Sequence, residues 1–453
     1  MRAPLGLMPP IVSYRPARGR SLRRSSRSPL GVESARRNFA FMTEPTPGAQ
    51  QRHPLFLPHF RNLWLGSTIS LLGDQFFLVA MPWLVLQLTG SSLILGTMLM
   101  VATIPRTALM LVGGAVTDRV SPRRVLLFTA VSRTLLVGTV AALVWLDAVE
   151  LWQLFVLTLA FGVADAFSFP AGASLVPALV PPQQLPAANA LLRISTVLTQ
   201  MIGPAPAGLV VKSWGIATAL FVDALSFVAV IAALFRIPAS PAPPAPAAGA
   251  PPRPSMLRSI AEGLRAVRND PVLVSLMVVF AAMNLCVAGP VGVGLATLAK
   301  FHFSSPAALG VLLSCFSGGT LAGALLGGMV KKPRRRGLQL TVISTLAGLE
   351  LIGIGLFLQI AAIGALLALM GLGVGFVNVQ FSAWIPLRVD RALLGRVVSV
   401  LSVCAVGLVP LSYALAGFLA QWSLKGLFIG AGLLLATISG TMALTSKAAR
   451  EID

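Results

Sequence analysis

From Arg61 onward the chain is a succession of twelve long apolar runs, at residues 61–87, 92–117, 122–146, 151–175, 189–211, 214–236, 271–295, 306–330, 337–358, 361–385, 394–420 and 424–446, separated by short polar gaps. A helix needs about 20 apolar residues to cross a bilayer, where no water is present to satisfy free backbone groups. Composition agrees, with 56% of residues apolar and 11% charged, whereas a soluble domain carries about 25% charged residues. A soluble protein is excluded. The expected fold is all-α and membrane-embedded, with twelve transmembrane helices.

The formal charge of +21 does not form the dense basic stripe that nucleic acid requires. Residues 1–41 carry nine Arg against the single acid Glu33, and most of the remaining Lys and Arg sit in a few gaps between runs. Gaps two–three, six–seven, eight–nine and ten–eleven with the adjoining ends of the runs, and the C-terminal tail, hold eighteen of them; the opposite gaps with their adjoining ends hold only Lys212, Lys300 and Lys425. Basic residues in short loops resist translocation, so both termini are expected on the cytoplasmic side of a cell inner membrane. Residues 1–60 are expected to be a basic, disordered extension. Within it, 1–41 lack a signal-peptide apolar run, and an upstream extension, an organelle transit peptide and an anionic-lipid anchor all remain open.

Residues 237–258 form a Pro/Ala-rich linker, with eight prolines between 238 and 254, a composition that favours an extended, semi-rigid tether. It joins two bundles of six helices, 61–236 and 271–446, followed by a tail at 447–453. The halves echo each other: Gly113-Gly114 before a basic gap recurs as Gly327-Gly328 before KKPRRR. Such internal duplication is a mark of transporters, and the two bundles are expected to be pseudo-symmetric. After the linker, Ser259-Ile260-Ala261-Glu262 reads as a capping box opening an amphipathic helix over 259–270, expected to lie on the membrane surface.

Several strings carry a resemblance: GDQFFLVAMPWLVLQLTGSS in the first run, GGAVTDRVSPRRVLL after the second, DAFSFPAGASLVPALVPPQQLPAANALL around the fourth, FVDALSFV in the sixth, EGLRAVRNDPVL before the seventh and IPLRVDRALLGRVVS before the eleventh. Together they resemble the major facilitator superfamily, in its macrolide-efflux and enterobactin-exporter branch. The resemblance implies a cytoplasmic gating motif at Gly114, Asp118, Arg119, Arg123 and Arg124, although Ser121 and Pro122 depart from the family pattern. It also implies an exporter-like kink at Gly203, Pro204 and Gly208. A plain topogenic loop and an ordinary packing kink are the alternatives for the two segments.

Ionisable groups deep in lipid cost several kcal/mol and usually face a cavity or a partner. Asp74 in the first run and Arg106 in the second sit at comparable depth, roughly 17–20 Å from the cytoplasmic end, and Arg133 and Asp165 in the third and fourth at roughly 15–17 Å. These four are the proton-coupling candidates. Asp74 ranks first and Asp165 second, because the resemblance implies that the first and fourth helices line a cavity; a static charge pair would satisfy the same placement. Asp223 and Glu350 read as helix-packing or interface groups. In the second half, Asn284, Asn378, Gln380 and Trp384 are the substrate-cavity candidates, since large apolar walls with a few amides suit amphipathic ligands.

Cys286, Cys315 and Cys404 lie in apolar runs, an odd set that cannot be a disulfide framework. His53, His59 and His302 lie outside or at the ends of the runs, so neither a His-based metal site nor an imidazole relay is available. No cofactor, no metal and no enzyme chemistry are expected. The expected function is a proton-coupled exporter, an antiporter of amphipathic small molecules such as drugs, natural products or siderophores. Its expected partners are protons, that small molecule and the lipid bilayer, with no nucleic acid, and it is expected to act as a monomer by alternating access. An importer or lysophospholipid flippase of the same fold, and a membrane sensor that moves nothing, share this helix layout.

Overall fold

The computed structural model describes residues 53–117, 120–238, 256–330, 336–389 and 391–445; the extension through residue 52, most of the Pro-rich linker and the tail from residue 446 lie outside them. Proline opens the helices Pro58–Thr89, Pro122–Trp145, Pro271–Gly289 and Pro306–Met329, where its missing N–H would have had no intrahelical partner. Leu151–Leu179 begins instead with a capping box, in which the Glu150 backbone N–H donates to Gln153 Oε1 at 2.8 Å. The helices Ser92–Thr117, Arg336–Leu356, Ile360–Arg388 and Leu424–Thr445 complete the regular set.

Ten helices among the described residues are long and apolar enough to cross a membrane. The two remaining crossings, the fifth and the eleventh, are assembled from pieces, and the sixth and seventh are interrupted by an irregular turn. The fifth span runs through Leu185–Ile202 and onward from Pro204. The sixth begins where Gly215 interrupts the helix Pro204–Phe235 with φ 86° and ψ 169°, a conformation open to glycine and strained for residues with a Cβ. The seventh span carries a π-helical turn, Pro290–Gly294, between Pro271–Gly289 and Leu295–Phe301. The eleventh joins Arg391–Gly407 to Val409–Trp422. The chain thus has the all-α membrane fold expected from its sequence, and among the described residues the two pieced crossings bring the ten single-helix spans to twelve.

Each half repeats one packing plan. The second span packs on the fourth and the third on the sixth; likewise the eighth packs on the tenth and the ninth on the twelfth. Small residues four apart make the contacts close. Gly319 and Gly323 of the eighth span face the backbone of Ala368 and Leu372, while Gly371 and Gly375 of the tenth face Phe316 and Thr320, and a Cβ at any of the four would collide with a carbonyl oxygen.

The halves meet where the second span packs on the eleventh and the fifth on the eighth. Gly96 and Gly417 face each other in the first pair; Gly208 lies against Pro306, and Gly310 against Pro204, in the second. The Ala205 backbone N–H donates to Ser314 Oγ at 3.1 Å, Thr297 Oγ1 donates to Ser92 Oγ at 3.1 Å, and Lys300 Nζ sits 4.4 Å from the Trp83 ring centroid. These contacts seal the end at which the first span finishes and the second starts. A central cavity of about 790 Å³ lies between the halves, and its wall runs from Pro204 and Tyr413 to Ser67, Leu126 and Gly172, toward the end at which the first and third spans begin.

The amphipathic segment is a helix, Met256–Asn269, starting three residues ahead of the expected box, so Ser259 lies inside it and not at its N-cap. It is also docked rather than only resting on lipid. Val267 is fully buried, Glu262 pairs with Arg396 of the eleventh span, and Asp270, the N-cap of the seventh, holds Arg388 of the tenth at 2.8 Å. Periodicity alone shows an apolar face but not which protein surface covers it.

Candidate functional site

The first six spans bring the deep charges of the N-terminal half to one wall of the central cavity. Arg133 Nη2 donates to Asp74 Oδ1 at 2.9 Å, Arg133 Nη1 lies 3.8 Å from Asp165 Oδ1, and Arg106 Nε reaches Asp165 Oδ2 at 3.0 Å. All four proton-coupling candidates line the cavity. Of the two pairs placed level by depth, Arg133 and Asp165 do meet, whereas Asp74 is held by Arg133 and Arg106 by Asp165. Depth along a straight helix ignores how each helix is rotated, and here Arg133 bridges the two acids.

Aromatic rings hold that bridge in position. The Arg133 Cζ lies 4.6 Å from the Phe161 centroid and 4.4 Å from that of Phe227, a cation–π sandwich that orients the guanidinium while leaving its N–H groups for carboxylates. Phe161 in turn stacks on Phe77 at 4.9 Å. Arg133 is 13% exposed and Arg106 61%, so the first is fixed in the wall and the second reaches into open space.

Asp223 of the sixth span, read from the sequence as a packing group, is fully buried behind this wall, and neither carboxylate oxygen has a hydrogen-bond partner. The neighbouring Ser226 hydroxyl donates to the Asp223 backbone carbonyl at 2.7 Å. Gly73, immediately before Asp74, makes room: a Cβ there would lie 3.0 Å from Asp223 Oδ1 and would overlap Ser226. A usable signal was present in the sequence. Counting back from Phe235 at 1.5 Å per residue puts Asp223 about 18 Å deep, the depth already assigned to Asp74.

The second half contributes the opposing surface. Asn284 and Asn378 share a pocket of about 240 Å³ with Phe280, Met283 and Phe316, and Phe316 also lines the central cavity. Gln380 and Trp384 are placed elsewhere. Gln380 Nε2 donates to the Gly327 carbonyl at 2.7 Å, binding the tenth span to the eighth. Trp384, 4% exposed, packs edge-on against Phe381 inside a separate apolar cluster. A long amide can satisfy a neighbouring carbonyl as readily as a ligand, and helix rotation decides which.

The kink residues belong to the seal between the halves. Gly203 keeps helical angles and lies against Gln75, so a Cβ there would sit 2.8 Å from Gln75 Cβ; Pro204 and Gly208 contact the eighth span. In the gating motif, Asp118 and Arg119 lie outside the described residues, as do the surroundings of Gly114. Arg123 Nε donates to the Leu234 carbonyl at 2.8 Å, tying the third span to the end of the sixth, and Arg124 is exposed beside an apolar groove on the third and fourth spans. Cys286 is buried and Cys315 partly so, both as free thiols; the surroundings of Cys404 lie outside the described residues.

Known proteins match this arrangement at the level of sequence and of fold. Over 418 residues the chain is 30% identical to the multidrug efflux pump Tap of Mycolicibacterium fortuitum, covering 89% of this chain and 98% of that one. It is 22% identical to macrolide efflux protein A of Streptococcus pyogenes, over 75% and 84% of the two chains. A crystal structure of a bacterial homologue of the iron transporter ferroportin in an inward-facing state superposes with a TM-score of 0.62 at 18% identity, covering 85% of this chain and 98% of that one. The sequence profile of the Major Facilitator Superfamily matches residues 63–410. With two matched bundles closed at one end around a charged cavity, this chain belongs to the Major Facilitator Superfamily, a family of membrane transporters.

Proposed function

We propose that the protein is a proton-coupled exporter of amphipathic small molecules, acting as a monomer by alternating access in the plasma membrane with both termini in the cytoplasm. The observation that carries this reading is the ionic wall itself: Asp74, Arg133, Asp165 and Arg106 line the cavity between the halves. Charges so placed are exposed to whatever enters, and a proton arriving at Asp74 weakens the hold of Arg133. The relatives named for multidrug and macrolide efflux support the direction and the substrate class.

Cavity size and chemistry fit this reading. A volume of about 790 Å³ lies in the range that encloses drug-sized ligands, about 300–1,000 Å³. The cavity wall offers charge, and the smaller pocket that shares Phe316 with it offers Asn284 and Asn378 among aromatic and Met side chains, so an amphipathic molecule reaching both can satisfy each. One proton moving inward down about 100 mV releases roughly 2.3 kcal/mol, sufficient for modest uphill export. In this reading the open end of the cavity faces the cytoplasm, the Gly–Pro segment of the fifth span closes the far end, and the gating motif resembled by Asp118 and Arg119 closes the near end in the opposite state.

The test is accumulation of ethidium, an amphipathic cation, in cells with and without the protein. Expression should lower accumulation, and a protonophore should abolish the difference. Lower accumulation that survives the protonophore would refute proton coupling, and higher accumulation would refute export.

A further inference from the structure

The ionic wall and the residue behind it do not balance. Two guanidiniums, Arg106 and Arg133, stand among three carboxyls, Asp74, Asp165 and Asp223. Asp74 and Asp165 are each paired with an Arg. Asp223 is fully buried, and among the described residues neither carboxylate oxygen has a partner in hydrogen-bond geometry: the adjacent Ser226 hydroxyl directs its proton to the Asp223 backbone carbonyl at 2.7 Å. An ionised carboxylate left so is costly in an apolar interior, and the neutral acid avoids most of that cost. At the same time Arg133 Nε, also buried, has no acceptor, so a free donor and a free acceptor lie in the same cluster without being joined.

We infer that Asp223 holds the exchangeable proton of this transporter, passing it to Asp74 as Arg133 shifts from one carboxyl to the other; the inference rests on the proton-coupled reading above. The groups facing Asp223 are Asp74 from the first span and Arg133 from the third, with Asp165 beyond Arg133 on the fourth. In the structure Arg133 is on Asp74, and the proton stays on Asp223. In the transfer step the O–H bond at Asp223 breaks and one forms at Asp74, which lines the cavity and can release the proton to water there. The negative charge left on Asp223 is taken up by Arg133, which leaves Asp74 in the same step, so the cluster keeps its total charge. Gly73 is what lets the sixth span pack this closely beside Asp74, because a Cβ at that position would overlap the Ser226 side chain and lie 3.0 Å from Asp223 Oδ1.

This assigns Asp74 the role of a port and Asp223 that of a reservoir. It also explains why an acid sits in a position without access to substrate. A helix-packing residue would need no charge, and a buried unpartnered acid packs worse than Asn or Ala would.

The test uses the full-length protein purified in detergent and in proteoliposomes, with ethidium as the probe. Infrared spectra of the wild type should show a carboxylic-acid C=O band that Asp223→Asn removes and Glu350→Gln leaves in place. In proteoliposomes, Asp223→Asn should abolish the roughly tenfold ethidium accumulation that a proton gradient of about one pH unit sustains in one-for-one exchange of a proton for a cation. Gradient-free ethidium exchange should persist in that variant, and Asp223→Glu should restore part of the accumulation. A band that survives in Asp223→Asn overturns the inference, as does undiminished accumulation in that variant. If the wild type ignores the proton gradient, the antiport reading falls, while the infrared band still decides whether Asp223 carries a proton. If Asp223→Asn does not assemble, Asp223→Glu must shift the band, and an unshifted band overturns the assignment.

Discussion

Arg133 Nη2 donates to Asp74 Oδ1 at 2.9 Å, tying the third span to the first across the wall of the cavity. Removing one member of a buried pair leaves the other uncompensated, at a cost of about 3 kcal/mol. Arg133→Ala should therefore lower thermal stability in detergent by about that amount and abolish gradient-driven transport. Arg133→Lys, which keeps the charge but loses the fork that spans two acids, should recover stability better than transport. Equal recovery of both would mean that the bridge to Asp165 is idle.

Gly417 touches Gly96 across the junction of the halves, where a Cβ on Gly417 would lie 2.9 Å from Gly96 Cα. Gly417→Leu should hold that end apart at a cost of about 1–3 kcal/mol. Neither half loses internal packing, so expression and folding should be preserved while ethidium transport falls about tenfold. Transport at the normal rate would show that the two spans do not form the closed gate.

Arg106 makes its pair with Asp165 from a side chain that is 61% exposed, and exposed pairs contribute less than about 1 kcal/mol. Arg106→Gln should leave the melting temperature nearly unchanged. Its effect should be on function: with Asp165 held only by Arg133 at 3.8 Å, the pH dependence of transport should shift. A large loss of stability without such a shift would make the pair a structural tie.

The docked helix carries a pH prediction of its own. Burial by itself would raise the Asp270 carboxyl, but hydrogen bonds from Arg388 and the Val272 N–H, with the Arg388 charge, outweigh it and hold the group below its ordinary value. A depressed acid stabilises fully above its unfolded value, near pH 4, and loses that contribution as pH falls through the lower folded value. Wild type should exceed Arg388→Gln by about 0.5–1 kcal/mol at pH 7, and the difference should shrink below about pH 4. Melting curves of both proteins at the two pH values check this.

Much of the fold was legible because its determinants are local. Apolar length marked the spans, and prolines such as Pro122, Pro271 and Pro306 marked where helices begin. The residues of the ionic wall were legible too, since deep charges are few and each needs a partner. What could not be read was rotation about each helix axis. That angle put Arg133 on Asp74 as well as Asp165 and took Arg106 to Asp165, turned Gln380 toward the Gly327 carbonyl, and set Trp384 among Phe381 and its neighbours. The place of Asp223 was hidden for a related reason: its fit against the first span depends on Gly73, a residue on a different span whose importance is in what it lacks.

The account is tested most directly by Asp74→Asn in proteoliposomes loaded to drive ethidium with an imposed proton gradient. It predicts that gradient-driven accumulation disappears while ethidium exchange without a gradient continues, because the cavity remains and only its proton port is gone. Accumulation at the wild-type level in that variant would contradict the claim that the acids of this wall couple proton entry to substrate exit.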